Sequence, residues 1–144
     1  MNSAAIACQD ITWNPITKTS TFTAHDREIL TRHWHPVAFS TDVSDQPHAV
    51  ILLDEPVVLY RTGDRINAAR DICSHRGAPL SKGWVHDGNL ICPYHGLHFG
   101  TDGRCTQIPS EPDARLTERH RIQMYKAREE YGLIWVLMLS LIHI

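Results

Sequence analysis

Cysteine is scarce in this chain. Cys8, Cys73, Cys92 and Cys105 are the only four among 144 residues. They are too few and too unevenly spread for a secreted disulfide scaffold. An excess of either charge is missing as well. Lys plus Arg number 14 against 16 for Asp plus Glu, a formal net charge of −2 with neutral histidines. No basic patch or block of like charges points to nucleic acid or to a polyelectrolyte tail. Long apolar runs are absent too. The longest, residues 132–144, reads GLIWVLMLSLIHI and contains Ser140 and His143. It falls short of the ~20 apolar residues that span a bilayer and reads as a buried strand. Residues 1–9 lack the basic start and long apolar stretch of a signal peptide. These absences set the expectation of a cytoplasmic protein with no nucleic-acid or membrane partner. The composition, 42% hydrophobic and 21% charged, is ordinary for a globular chain and excludes disordered, collagen-like and coiled-coil classes. The length predicts one domain with room for an arm.

Residues 1–23 show no periodicity and read as an N-terminal arm. Thr23 is placed to cap a short helix, with Asp26 returning the bond in a capping box. That helix is expected to run through Leu30 to about His33 and to end at Pro36. Short β-like runs follow: 37–40, 48–53, 56–60 and 66–69, then 84–85, 90–91, 97–99, 105–106, 122–127 and 133–138. Thr62-Gly63-Asp64, Asp87-Gly88, Asp102-Gly103 and Glu130-Tyr131-Gly132 mark turns between successive runs. The pattern predicts an all-β fold, a small antiparallel β sandwich or barrel with a short N-terminal helix and arm. The domain is expected to span 24–138. Residues 139–144 end abruptly in apolar sequence and read as a non-native or truncated tail.

What the chain does have is histidine, ten in all, and two segments where histidine and cysteine fall together. Cys73-Ser74-His75 is followed, after sixteen residues, by Cys92-Pro93-Tyr94-His95. Each half offers one thiolate and one imidazole, and each begins where a strand stops. Gly77 and Gly96 allow tight turns that bring backbone N–H groups close to an anion, and Pro79 and Pro93 stiffen the loops. Two Cys and two His also suit tetrahedral zinc. Zinc sites usually pair ligands by type within each half, whereas here each half is mixed. The mixed pattern suits two inequivalent irons, with zinc as the rival reading.

The spacing C-x-H, sixteen residues, C-x-x-H resembles the Rieske [2Fe–2S] motif. Cys-Ser-His-Arg-Gly-Ala-Pro-Leu-Ser at 73–81 and Cys-Pro-Tyr-His-Gly-Leu-His-Phe at 92–99 resemble the cluster loops of Rieske non-haem iron oxygenases. The segments at 32–37, 102–110 and 131–136 are similar to the flanking text of that family's large-subunit N-terminal domain. The resemblance implies the Rieske iron–sulfur fold. It implies a [2Fe–2S] cluster with Cys73 and Cys92 on one iron and His75 and His95 on the other. Imidazoles in place of two thiolates leave such a cluster less negative, raising its potential above the about −400 mV of plant-type ferredoxins. Respiratory Rieske proteins carry a further Cys in each loop. Ala78 and Tyr94 stand at those places here, which excludes that branch.

The resemblance further implies a parent oxidoreductase, a Rieske-type mono- or dioxygenase. It would take electrons from a reductase or ferredoxin and pass them to a mononuclear iron, Fe(II), that hydroxylates or demethylates an organic, often aromatic, substrate. Such parents form homo-oligomers. No carboxylate-x-x-His segment with a second His nearby occurs in these 144 residues, so the catalytic iron would lie in a missing domain and no residue here is assigned a catalytic role. The alternative is a free-standing Rieske ferredoxin. Among other residues, His98, His33 and His35 read as structural and His86 as solvated. Cys105 reads as a small buried residue, and Trp84 and Trp135 as core. Arg76 and Lys82 read as solvated charge, with docking to an acidic partner as the alternative.

Overall fold

A computed structural model describes residues 21–139. Cys8, most of the expected arm, and residues 140–144 of the expected tail lie outside the described residues. Helix α1 covers Ala24–Leu30. Its capping box forms as the sequence predicts: Asp26 N–H donates to the Thr23 hydroxyl and Thr23 N–H to the Asp26 carboxylate, each at 3.1 Å. Ten strands follow: β1 Trp34–Phe39, β2 His48–Leu52, β3 Glu55–Thr62, β4 Arg65–Arg70, β5 Trp84–His86, β6 Asn89–Ile91, β7 His98–Phe99, β8 Cys105–Gln107, β9 Met124–Glu130 and β10 Leu133–Leu137.

Every strand pair is antiparallel. A six-stranded sheet, ordered β1-β10-β9-β4-β3-β2, curls into a nearly closed barrel as its edges β1 and β2 approach. A second sheet, β5-β6-β7-β8, is inserted between β4 and β9. Among the described residues, no helix is long and apolar enough to cross a membrane.

Strand β3 joins the two halves. Side chains alternate across a strand, and here both faces are buried, which is why 57–60 reads Val-Val-Leu-Tyr without polar interruption. Val57 and Leu59 enter the barrel interior with Ala68, Tyr125, Ile134 and Val136. Val58 and Tyr60 face the other way, into a second core with Ala69, Leu80, Leu90, Leu97, Phe99 and Ile122. That second core holds Cys73 and Cys92.

The structure corrects several sequence expectations. The helix stops at Leu30, not near His33, and Pro36 does not end it but lies within β1. Proline is tolerated there because β1 is an edge strand that pairs only with β10, with a register shift between Pro36 and Ala38. The β2–β3 hairpin turns on Leu53 and Asp54, with φ of 51° and 65°. Left-handed backbone usually goes to Gly or Asn, so this turn was invisible in the sequence. It is held from outside: the Leu53 carbonyl accepts from Arg27, and Asp54 accepts from the Thr21 N–H at 2.7 Å. Strand β9 begins at Met124 rather than Ile122, because the Ile122 N–H is committed to the Gly103 carbonyl. Trp84 is not core; it is 46% exposed on edge strand β5. Trp135 is half-buried, its indole N–H donating to the Glu130 carbonyl at 3.2 Å.

Arg61 ties the barrel wall together. Its guanidinium grips Glu129 of β9 with both nitrogens, at 3.0 and 2.7 Å, and also donates to the carbonyls of Val43 and Ser40. The hydrogen bonds from Arg61 pull the Glu129 carboxyl down to about 2. A depressed carboxyl contributes stability that is complete above its unfolded value near about 4.3 and is lost as pH falls through the folded value. Glu129→Gln should therefore lower stability at pH 7 by about 1 kcal/mol, a partly exposed bidentate pair. In thermal melts the gap from wild type should narrow below about pH 4 and close near pH 2. A gap constant over that range would assign the loss to something other than this ion pair.

Candidate metal centre

Two loops of the inserted sheet carry the sequence-singled residues. The first leaves β4, the second joins β6 to β7, and both close in the same way. The Cys73 N–H donates to the Ala78 carbonyl at 2.8 Å, and the Cys92 N–H donates to the Leu97 carbonyl at 2.9 Å. Each cysteine thus opens a turn that returns to it five residues later. The second turn requires two successive left-handed residues, His95 at φ 73° and Gly96 at φ 70°. Glycine takes that conformation freely, but a histidine pays about 1 kcal/mol or more.

The structure brings the four residues together as two pairs. Cys73 and Cys92 are each 1% exposed, with their sulfurs in hydrogen-bond contact. Backbone groups at His75 and Arg76 hydrogen-bond to the Cys73 sulfur, and the Cys92 thiol donates to the Tyr94 carbonyl at 3.2 Å. The hydrogen bond from Cys73 holds the Cys92 thiol down, to about 7, while that same bond and burial push Cys73 up.

The imidazoles pair nearer the surface. The His75 and His95 rings meet edge to face, 5.2 Å between centroids, and the Tyr94 ring lies 4.0 Å from His95. His75 is half-buried and His95 exposed. Burial first, and then the neighbouring His95, hold the His75 imidazole below its ordinary value, which favours the neutral, ligating form. Among the described residues, no three Cys, His, Asp or Glu side chains converge as a single-ion site would need. Two soft sulfur donors lie inside and two nitrogen donors outside, a donor set that fits two inequivalent metals better than one tetrahedral ion.

Surrounding residues fix this geometry. Ser74, 3% exposed between Cys73 and His75, donates its hydroxyl to the His120 carbonyl at 2.9 Å. That bond pins the 3₁₀ turn Glu118–His120 beside the first loop, forming with His75 a cleft of ≈ 690 Å³ lined by Thr117, Glu118, Arg119 and His120. Sequence reasoning missed Ser74 as a support, and it missed Asp71 and Ser81. The signal in Asp71 was a carboxylate set amid Ala68, Ala69, Ile72 and Cys73, where burial demands partners.

The remaining candidates fall elsewhere. His35 places Nε2 2.7 Å from the Leu30 carbonyl and serves the turn after α1. His33 is exposed, and exposed His86 lies 3.3 Å from Asp87. His98 is half-buried on β7. Cys105 is buried as expected, its thiol 3.5 Å from the Gln107 carbonyl. Arg76 and Lys82 are exposed near the first loop.

The two loops are held in register where β5 begins. A Cβ at Gly83 would sit 1.8 Å from the Ile91 carbonyl oxygen, one residue before Cys92. Gly83→Ala must push β5 off β6 and should cost about 2–3 kcal/mol in denaturant unfolding. Gly63→Ala, with nothing within 4 Å of the new Cβ but φ of +64°, should cost only about 1 kcal/mol. Equal losses in the two variants would contradict the close approach at Gly83.

Known proteins resemble this chain in sequence and in fold. A family description, "Rieske [2Fe-2S] domain", matches residues 33–126. Methylxanthine N1-demethylase NdmA of Pseudomonas putida is 38% identical over 117 residues, covering 77% of this chain and 33% of its own. Phenoxybenzoate dioxygenase subunit alpha of Ectopseudomonas oleovorans is 41% identical over 113 residues, covering 77% of this chain and 28% of its own. The solved structure of Pseudomonas putida CBB5 NdmA superposes with a TM-score of 0.75 at 39% identity, over 78% of this chain and 36% of that one. The chain thus spans about a third of the length of the curated relatives it matches.

Proposed function

Because this chain belongs to the Rieske [2Fe–2S] domain family, with homologues among oxygenase alpha subunits, we propose that it is the electron-transferring part of a Rieske non-haem iron oxygenase. One observation carries the reading: a buried sulfur pair and a shallower nitrogen pair, delivered by two loops of one small sheet. A [2Fe–2S] cluster, when bound, supplies one-electron redox chemistry.

In this reading Cys73 and Cys92 would hold one iron of the cluster and His75 and His95 the other. Backbone donors at His75 and Arg76 offset negative charge on the Cys73 sulfur. Leu80, Leu90, Leu97 and Phe99, all fully buried, keep water from the sulfur side. The His95 ring and the cleft beside His75 give partners access to the nitrogen side. A bound cluster would accept an electron from a reductase or ferredoxin and supply it to a mononuclear iron held outside the residues of this chain. The substrate is an organic, often aromatic, molecule that is hydroxylated or demethylated there. NdmA carries a demethylase name and the phenoxybenzoate protein a dioxygenase name, which supports the oxygenase class and not one reaction within it. The full-length protein would assemble as a homo-oligomer.

The purified chain, reconstituted anaerobically with iron and sulfide, should be brown and should give a rhombic EPR signal on reduction. Cys73→Ser and Cys92→Ser should each abolish both. His75→Cys, where the cluster is retained, should lower the potential toward the about −400 mV of all-thiolate centres. A colourless chain holding stoichiometric zinc would overturn the proposal.

A further inference from the structure

The first loop is closed by a pair of residues outside the four ligands. Asp71 precedes Cys73 by two residues and is 7% exposed. Both carboxylate oxygens are used on the same partner. Oδ1 accepts from the Ser81 N–H at 2.7 Å, and Oδ2 accepts from the Ser81 hydroxyl at 2.6 Å. The Asp71 N–H donates to the Pro56 carbonyl of β3 at 3.0 Å. The loop therefore leaves and re-enters the fold at one point, and that point is fastened to β3, whose residues 57–60 are buried between the two cores.

The connection runs on to the second loop. Ser81 lies in the 3₁₀ turn Leu80–Lys82, where the Lys82 N–H returns to the Pro79 carbonyl and the Gly83 N–H to that of Leu80. Gly83 then presses on the Ile91 carbonyl, and Trp84 pairs with Ile91 across β5 and β6. Cys92 follows directly. Asp71, Ser81, Gly83 and Ile91 thus form one continuous path from the base of Cys73 to the base of Cys92. The other chain route between the cysteines passes over the tip of the first loop.

We propose that Asp71, acting through Ser81, is a positioning residue that sets the separation of the Cys73 and Cys92 sulfurs and thereby the lifetime and potential of the cluster they hold. This role rests on the electron-transfer reading above. Two hydrogen bonds to one carboxylate resist rotation about either bond alone, so the clamp fixes a direction as well as a distance. Residues that orient metal ligands in this way typically change affinity by 10–100-fold when removed.

Three variants of the full chain test it, each reconstituted and then challenged with an iron chelator. Ser81→Thr keeps both donors and should match wild type in cluster lifetime, potential and EPR line shape. Ser81→Ala keeps the N–H and loses the hydroxyl; it should lose its cluster about 10-fold faster, with a displaced potential and a broadened signal. Asp71→Asn places an amide N–H₂ against a donor and should exceed Ser81→Ala in the same direction. The Ser81→Ala change alters no charge, so its shift in potential reports geometry. Wild-type lifetime and potential in both Ser81→Ala and Asp71→Asn would overturn the positioning role while leaving the proposed function standing. A wild-type chain that takes up no iron and sulfide would overturn both.

Discussion

The contact between Gly83 and the carbonyl of Ile91 is the constraint on which the candidate centre depends. It leaves no room for a side chain, and it locks the end of the first loop to the residue before Cys92. With that contact made, the two cysteines begin equivalent turns from adjacent positions, each closing five residues on. The sulfurs then meet in the core and the rings meet near the surface. The left-handed backbone at His95 is tolerable because the surrounding turn is already held at both ends, and strain at a functional position persists only when its surroundings over-determine it.

The barrel and the inserted sheet divide the work. Strand β3 sends alternate residues into two separate cores, one inside the barrel and one beneath the ligand loops. Arg61 braces the barrel wall through Glu129, far in sequence from the ligands. The inserted sheet has strands of only two or three residues. Its order comes from buried Leu80, Leu90, Leu97 and Phe99 and from polar clamps at Ser74 and Asp71, in addition to strand pairing. A bound cluster would add a further cross-link at the same place, coupling its retention to the order of both loops.

Much of this was legible in the sequence, and the reasons are physical. The all-β class followed from short runs separated by Gly-containing turns, and the capping box from Thr23 and Asp26. The family showed in the paired Cys and His spacing, since ligand chemistry tolerates little variation in residue type. What could not be read depends on tertiary context. The Leu53-Asp54 turn places a leucine at positive φ, which that residue rarely adopts, and is held by Arg27 and Thr21 from elsewhere. Pro36 sits in a strand because β1 is an edge, which only the sheet order reveals. Trp84 looked like core because tryptophan usually is, yet the inserted sheet leaves β5 at its margin. Ser74 and Ser81 are ordinary loop residues until their partners, the His120 carbonyl and Asp71, come into place.

The central claim is that nitrogen from two histidines and sulfur from two cysteines share one binuclear centre. Pulsed EPR of the reduced, reconstituted chain reads this most directly, because each directly bound imidazole nitrogen couples to the unpaired spin. The account predicts two inequivalent strongly coupled nitrogens, one disappearing with His75→Ala and the other with His95→Ala wherever the spin signal survives. A paramagnetic centre with no strongly coupled nitrogen would contradict it.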